Sequence, residues 1–442
     1  MGITERDEIN ARICLIAPSH LSMNPRLVKE ADALTEAGYD VAVITADFSQ
    51  WGRCADAEFR ERRWQVIASP CFGPLAPIRT RIPELVRRTT ARFLVGKCNL
   101  YHPFLVRAAC HPIAPKLLSW ARHVRADLYI GHYTAALPAA AIAAHLHGTK
   151  YAFDAEDFHL GDSPDRPAHE LERQLTRAIE SRYLPGCVHV TAASPGIAEA
   201  YERVYGIKRP TVVLNVFPRA CAPEEATPKG SAKPSPSVYW YSQTIGSGRG
   251  IECAIRAISR ARSRPHLYLR GKPAPGFADQ LLKLAAEVEV SDRLHILPLA
   301  PPSEMERLAA LYDVGLVGET GATQNRKIAL TNKLFSYLLA GVPAVMSDIP
   351  AHRAFAEQFG SAAARVYRVD DPDGLATALD ALLCDKDALA TARASAFALG
   401  QTRLNWDVEK SVLLERVAES LHQCAEMSLR TGDSGQCRLS HA

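Results

Sequence analysis

The chain runs twice through one pattern, and that repetition limits its fold more than any other feature. Short, almost wholly apolar segments alternate with stretches whose apolar residues recur every three or four positions. The first pass holds RICLIAP (12–18), the helical stretch 24–38 closed by Gly38, YDVAVITAD (39–47), DLYIGHY (127–133), KYAFDAED (150–157), VHVTAAS (188–194) and PTVVLNVFP (210–218). A stretch with four prolines and no apolar period, RACAPEEATPKGSAKPSP (219–236), interrupts it. The second pass then holds SVYWYSQ (237–243), HLYLRG (266–271), LHILPL (294–299), DVGLVGE (313–319), VPAVMSD (342–348) and ARVYRVD (364–370), with helices between them such as 249–262 and 304–312. Strands apolar on both faces must be covered on both faces, so each pass predicts a parallel sheet between helical layers. The fold class expected is α/β: two tandem Rossmann-like, doubly wound parallel-sheet domains facing a central cleft. The expected boundaries are 1–218 for the first domain, 219–236 for the linker and 237–400 for the second. One amphipathic helix at 401–427, able to cross back to the first domain, and a frayed tail at 428–442 complete the chain.

With 442 residues the chain exceeds one ordinary core, in keeping with two domains. Charged residues make up 23% and hydrophobic ones 47%, as in a soluble globular protein, and no apolar run is long enough to cross a bilayer. The first twenty residues carry acids and lack the order of a secretion signal, which predicts a cytoplasmic location. Eleven cysteines without a C-x-x-C pair fit neither a disulfide framework nor a zinc site. Residues 72–126 stand out, with ten Lys/Arg against the single acid Glu84, interleaved with Phe, Leu, Ile, Tyr101 and Trp120. Such a face suits an anionic membrane surface, the alternative being a solvated face, and would place the chain peripherally on the cytoplasmic face of the inner membrane. The arginines form no recognised nucleic-acid module, so nucleic acid is not an expected partner.

Two segments of the second pass point to anion binding. In SQTIGSGRGIECAIRAI, Gly246, Gly248 and Gly250 permit a tight turn ahead of a helix, and Arg249 adds a cation. The glycines fall at every second position and no acid follows about 20 residues on to bind a ribose, so this is not the dinucleotide fingerprint. In KIALTNKLFSYLLAGVPAVMSDIP (327–350), Leu330, Leu334, Phe335, Leu338 and Leu339 mark one buried helix face, ended by Gly341 and Pro343. Asn332, Lys333 and Ser336 lie at its start, near Arg326 and Lys327. Two helix N-termini on one sheet edge, with two or more cations, suit a diphosphate.

These motifs together resemble the retaining glycosyltransferases of the group 1, family 4-like class with the GT-B fold. The resemblance rests on TNKLFSYLLAGVPAVMSD and Arg249-Gly250 in the second domain. In the first it rests on NPRLVKEADALTEAGYDVAVIT, FDAED, TAASPGIAEAY and VLNVFP, and it extends over roughly 12–420. It implies a nucleoside-diphosphate-sugar donor, a glycan or lipid-linked acceptor, surface polysaccharide biosynthesis, and no cofactor or metal. By the resemblance, Arg249 stands for the lysine that grips the donor diphosphate, and Lys333, beside Leu334, is the lysine of the N-K-L segment. Ser336 and Ile328 occupy the places of the two acids of the E-x7-E pair, and Glu319 is a substitute of different spacing. Thr244 occupies the place of the diphosphate arginine, leaving Arg270, Arg326 or Lys327 to supply the second charge.

On the acceptor side, Glu156 takes the slot of the usual histidine, next to Asp154 and Asp157 at the end of a first-domain strand. His132, Ser22 and Asn24 are further acceptor-side candidates at strand ends or in the first turn. The same residues also read as ordinary helix caps, solvated acids and a structural histidine. Two other activities fit the architecture: a non-catalytic glycosyltransferase-like partner protein, favoured by the missing acids, and a sugar-nucleotide epimerase, which would work through Glu156, Asp157, His132 and Glu319 as acid/base groups.

Overall fold

The computed structural model describes residues 11–225 and 235–432, so the middle of the expected linker and most of the expected tail lie outside the described residues. Contacts divide the chain into two compact units. One comprises the residues up to Ala193, Ile197–Val213 and Lys410 onward; the other comprises Ser194–Gly196 and Leu214–Glu409.

In the first unit seven parallel strands, β1 (Arg12–Ile16), β2 (Asp40–Ile44), β3 (Gln65–Ala68), β4 (Leu128–His132), β5 (Lys150–Ala155), β6 (Val190–Ala192) and β7 (Thr211–Val212), lie in the order β3-β2-β1-β4-β5-β6-β7. In the second, β8 (Ser237–Ile245), β9 (His266–Pro273), β10 (Leu294–Leu297), β11 (Val314–Val317), β12 (Ala344–Ser347) and β13 (Ala364–Tyr367) lie in the order β10-β9-β8-β11-β12-β13. Both are Rossmann-like doubly wound sheets, as the alternating pattern requires. In each, the winding reverses beside the first strand, between β1 and β4 and between β8 and β11. At such a reversal two loops leave the sheet in opposite directions and open a crevice at the carboxyl ends.

β4, β11 and β12 are buried along their length. Helix Ile251–Arg260 covers the second sheet with Ile251, Ala254, Ile255 and Ile258, the spacing of one helix face. One strand was not foreseen and two expected boundaries moved. β3 has no run of apolar residues because it is an edge strand whose first two positions are exposed. β7 keeps only two residues of the nine in 210–218, again at a sheet edge. The helix expected at 401–427 begins only at Trp406, and residues 401–402 instead close the preceding helix, Lys386–Thr402. Asn405 separates them: its Nδ2 donates to the carbonyls of Gly400 and Gln401, and its Oδ1 accepts from the Val408 N–H at 3.2 Å.

Candidate active site

In the second unit β8 ends at Ile245 and hands over to the glycine turn. Gly250 has φ +69°, in the left-handed region, and a Cβ there would lie 2.3 Å from the Gly318 carbonyl oxygen. Only glycine lets this turn press against the chain leaving β11. Gly248, at φ +73°, offers its carbonyl to Thr320 Oγ1 at 3.1 Å, while a Cβ at Gly246 would meet open space. The turn is thereby fixed against the Gly318–Thr320 segment, with Arg249 at its crest.

That segment carries the centre of the cluster. Glu319 is almost wholly buried, and three cations approach its carboxylate: Arg249 Nη1 at 3.5 Å, Lys333 Nζ at 3.5 Å and Arg326 Nη1 at 3.8 Å. Its own carbonyl accepts a hydrogen bond from Ser347 Oγ at 2.5 Å, which ties the loop to the end of β12. Burial pushes the Glu319 carboxyl up, but Lys333, Arg249 and Arg326 outweigh it and hold the group below its ordinary value. The Lys333 ammonium is held below its ordinary value by burial and by the two arginines, against the attraction of Glu319. Its Nζ also lies 5.4 Å from the centre of the Trp240 ring. Three cations and one carboxylate leave a net charge of +2, and the side chains of Arg249 and Arg326 remain about one-third exposed. The arrangement suits an anion and carries its own counter-charge.

Lys333 stands in the first turn of helix Asn332–Leu339, whose N-cap position is Thr331. A separate short helix, Gln324–Ile328, precedes it, so Leu330 lies in the connection and not on the expected helix face. Asn332 is half-buried at the helix start, whereas Leu334 is core. Ser336 does not fit a ribose contact: it is fully buried and its hydroxyl donates to Glu306. Ile328 offers its backbone carbonyl to Ser194 Oγ at 2.7 Å. Arg270 is committed elsewhere, donating to Tyr239 Oη and the Pro298 carbonyl, both at 2.9 Å. Thr244 is exposed and paired with Lys272 across the β8–β9 ladder, and Lys327 is exposed. The structure therefore gathers Arg249, Lys333, Glu319, Arg326 and the glycine turn, and leaves Arg270 and Ser336 aside.

The first unit holds a second cluster, at the carboxyl ends of β4 and β5. Arg26 donates to both oxygens of Asp154, at 2.6 and 2.8 Å, and to the Val213 carbonyl at 2.7 Å. His132 lies 3.0 Å from Glu30 through Nε2 and 3.4 Å from Asp154 through Nδ1. Burial disfavours the imidazolium, but Glu30 and Asp154 override it and raise His132 to about 9. Burial likewise disfavours the Asp154 carboxylate, and Arg26 and His132 hold its pKa well below the usual range. Glu30, His132 and Asp154 are close enough to ligate a metal ion, yet Arg26 occupies both Asp154 oxygens and the charges of the four groups already cancel. His132 and Asp154, both buried, thus form an ion network and not the acceptor surface the sequence suggested.

Glu156 and Asp157, just beyond β5, are half-buried. Burial and the Asp157 charge push the Glu156 carboxyl above its ordinary value. Tyr133 Oη donates to it at 3.2 Å, from a residue at φ +65°. A bulky residue in the left-handed region is strained, and such strain concentrates at functional positions. Nothing in the sequence signals that φ; only the place of Tyr133 after β4 marks it. Arg26 and Glu30 were also missed, although both interrupt the apolar face of helix Pro25–Glu36. Asn24 caps that helix, accepting from the Leu27 N–H at 2.9 Å, and the Ser22 N–H donates to Asp56 Oδ1 at 2.8 Å. Ser22 Oγ and Asn24 Nδ2 are both shielded without a partner among the described residues. A bound polar group or an ordered water satisfies such atoms.

Comparison with known proteins agrees with this architecture. Residues 23–216 match the family model of the glycosyl transferase 4-like domain. No match is found among curated protein sequences. Of the solved structures sharing the fold, Anabaena HepE in complex with UDP is 13% identical, with 92% of this chain and 100% of that one covered at a TM-score of 0.67. Sucrose-phosphate synthase from Thermosynechococcus elongatus is 14% identical, with 94% and 100% covered at 0.68. A glycosyltransferase from Rickettsia africae is 12% identical, with 93% and 99% covered at 0.64. HepE has also been crystallised with UDP-glucose. Residues 23–216 are thus similar to the glycosyl transferase 4-like domain, and the chain as a whole has the GT-B fold of two Rossmann-like domains.

Proposed function

We propose that the protein is a retaining, hexosyltransferase-type glycosyltransferase that moves a sugar from a nucleoside-diphosphate donor to a glycan or lipid-linked acceptor in surface polysaccharide biosynthesis. The observation that carries this reading is the cluster of Arg249, Lys333 and Arg326 around buried Glu319, beside the starts of two helices. Its net charge of +2 (three cations, one carboxylate) balances a donor diphosphate. Backbone N–H groups of the glycine turn and the N-terminus of helix Asn332–Leu339 complete the anion site. As the glycosidic bond breaks, negative charge builds on the leaving diphosphate, and fixed cations stabilise that charge more than they stabilise the bound donor. The acceptor hydroxyl then attacks the face that the diphosphate leaves, and a phosphate oxygen takes its proton. On the acceptor side, Tyr133, Glu156, Ser22 and Asn24 present the polar atoms that orient a sugar. The UDP and UDP-glucose complexes of HepE support a nucleotide-sugar donor.

Calorimetry with UDP, GDP and ADP and their sugars tests the reading. Saturable binding of one nucleotide to the native chain, lost in Arg249→Ala, is the expected result; indifference to all three overturns it. A non-catalytic partner protein is the second reading, favoured by Ser336 and Ile328 where the resemblance expects acids. Donor binding without turnover of the donor into free nucleotide and transferred sugar would select it.

A further inference from the structure

The strongest feature outside these clusters is a face of the first unit built by helices Ile78–Cys98, Pro103–Cys110 and Ala114–Ala121, which lie between β3 and β4. On helix Ile78–Cys98 the buried residues are Glu84, Ala91 and Val95. At about 100° per residue the side opposite them is a single stripe, and it carries Ile78, Ile82, Leu85, Val86 and Phe93. These five are 56–64% exposed. On the same projection Arg81, Arg88 and Arg92 border one edge of the stripe, and Arg79 and Lys97 border the other. A helix of a soluble unit buries its apolar side; here the apolar side faces outward and is framed by cations. Tyr101, Phe104 and Trp120 are also exposed, at 42%, 57% and 45%.

The charge on this face is one-sided. Glu84 is buried and neutralised by Lys116 at 2.5 Å, and Arg92 pairs with Glu172. Arg79, Arg81, Arg87, Arg88, Lys97, Arg107, Arg122 and Arg125 are in no ion pair among the described residues. A groove of about 260 Å³ adjoins Phe104; Pro115 and Leu118 help line it, and Arg87, Arg107 and Arg122 give it cations. A second copy of the chain is a poor occupant, since two such faces brought together would oppose like charges. An anionic bilayer complements both properties: acyl carbons take the apolar stripe while lipid phosphates meet the flanking cations, and Tyr and Trp suit the boundary between them.

We infer that this face docks the protein onto an anionic lipid membrane, with helix Ile78–Cys98 lying in the plane of the interface. The inference is independent of donor binding. Flotation of the full chain with phosphatidylcholine vesicles, with or without phosphatidylglycerol, tests it in the absence of nucleotide. The native protein is expected to float with the anionic vesicles and to be released by salt. The charge-reversal variant R79E/R81E/K97E should bind them roughly tenfold less or weaker. The L85E/F93E variant should lose binding while keeping its circular dichroism and its melting temperature, because both side chains are exposed. Flotation equal on neutral and anionic vesicles, no flotation, or flotation unaffected by either variant overturns the inference. So does a native dimer by light scattering that L85E/F93E dissolves without any vesicle binding.

Discussion

At the scale of single residues, the cluster around Glu319 depends on charges that cannot be exchanged at will. Arg249→Ala and Lys333→Ala should each lose about 2–4 kcal/mol of transition-state stabilisation, the scale of one preorganised electrostatic group, read as kcat/KM with the fold intact by circular dichroism. Glu319→Gln removes the buried counter-charge and leaves three cations facing one another; the expected result is lower stability in the free protein and a larger stabilisation by bound nucleotide, seen as a greater thermal shift than the native chain gives. Ser336 shows how residue-level matching can mislead. Its place in the N-K-L segment suggests a ribose contact, but the hydroxyl is inside, on Glu306. Ser336→Glu should therefore bury a second carboxylate beside the first and destabilise the unit by roughly 3 kcal/mol or more in denaturant titration, instead of restoring donor affinity.

At the scale of elements, the alternating pattern made the central strands and their helices legible because those strands are covered on both faces, and burial leaves its record in composition. β3 escaped because it is an edge strand whose first two positions are exposed, so its sequence carries no such record, and β7 is shorter than the sequence suggests, only two residues of 210–218 pairing at the other edge. The join between helices Lys386–Thr402 and Trp406–Gly432 lies later than the sequence suggests for another reason: glycine reads as a helix end, but Gly400 lies inside the first helix and one buried side chain makes the break. Asn405→Ala removes two donors to helix-terminal carbonyls and the acceptor for the Val408 N–H. The expected cost is about 2 kcal/mol in chemical denaturation, the sum of a lost cap and unsatisfied buried groups. On helix Ile78–Cys98 the sequence reported the excess of cations, while the direction in which the apolar stripe faces required knowing which three residues are buried.

At the scale of the whole molecule, each unit is fastened by a buried charge cluster near the carboxyl ends of its sheet. In the first, His132 has a folded pKa of about 9 against its ordinary 6.5. Since the folded value is raised, its stabilising contribution is full below the ordinary value and disappears as pH rises through about 9; the difference is worth roughly 3 kcal/mol. Melting temperature measured between pH 6 and pH 10 should fall less steeply in His132→Gln than in the native chain, and parallel slopes would remove His132 from the account. The sequence by itself determined the two doubly wound sheets, the carboxyl-end location of the candidate residues and the pairing of a glycine turn with a second helix start, because apolar periodicity and glycine placement are local consequences of how a strand or a turn is buried. Only the tertiary structure decided that Glu319 is the hub joining Arg249, Arg326 and Lys333, that Arg26 claims Asp154, and that Tyr133, at a positive φ, donates to Glu156. Those facts depend on which distant side chains share one buried volume, and the energy of a charge is set by those neighbours and not by its position in the chain.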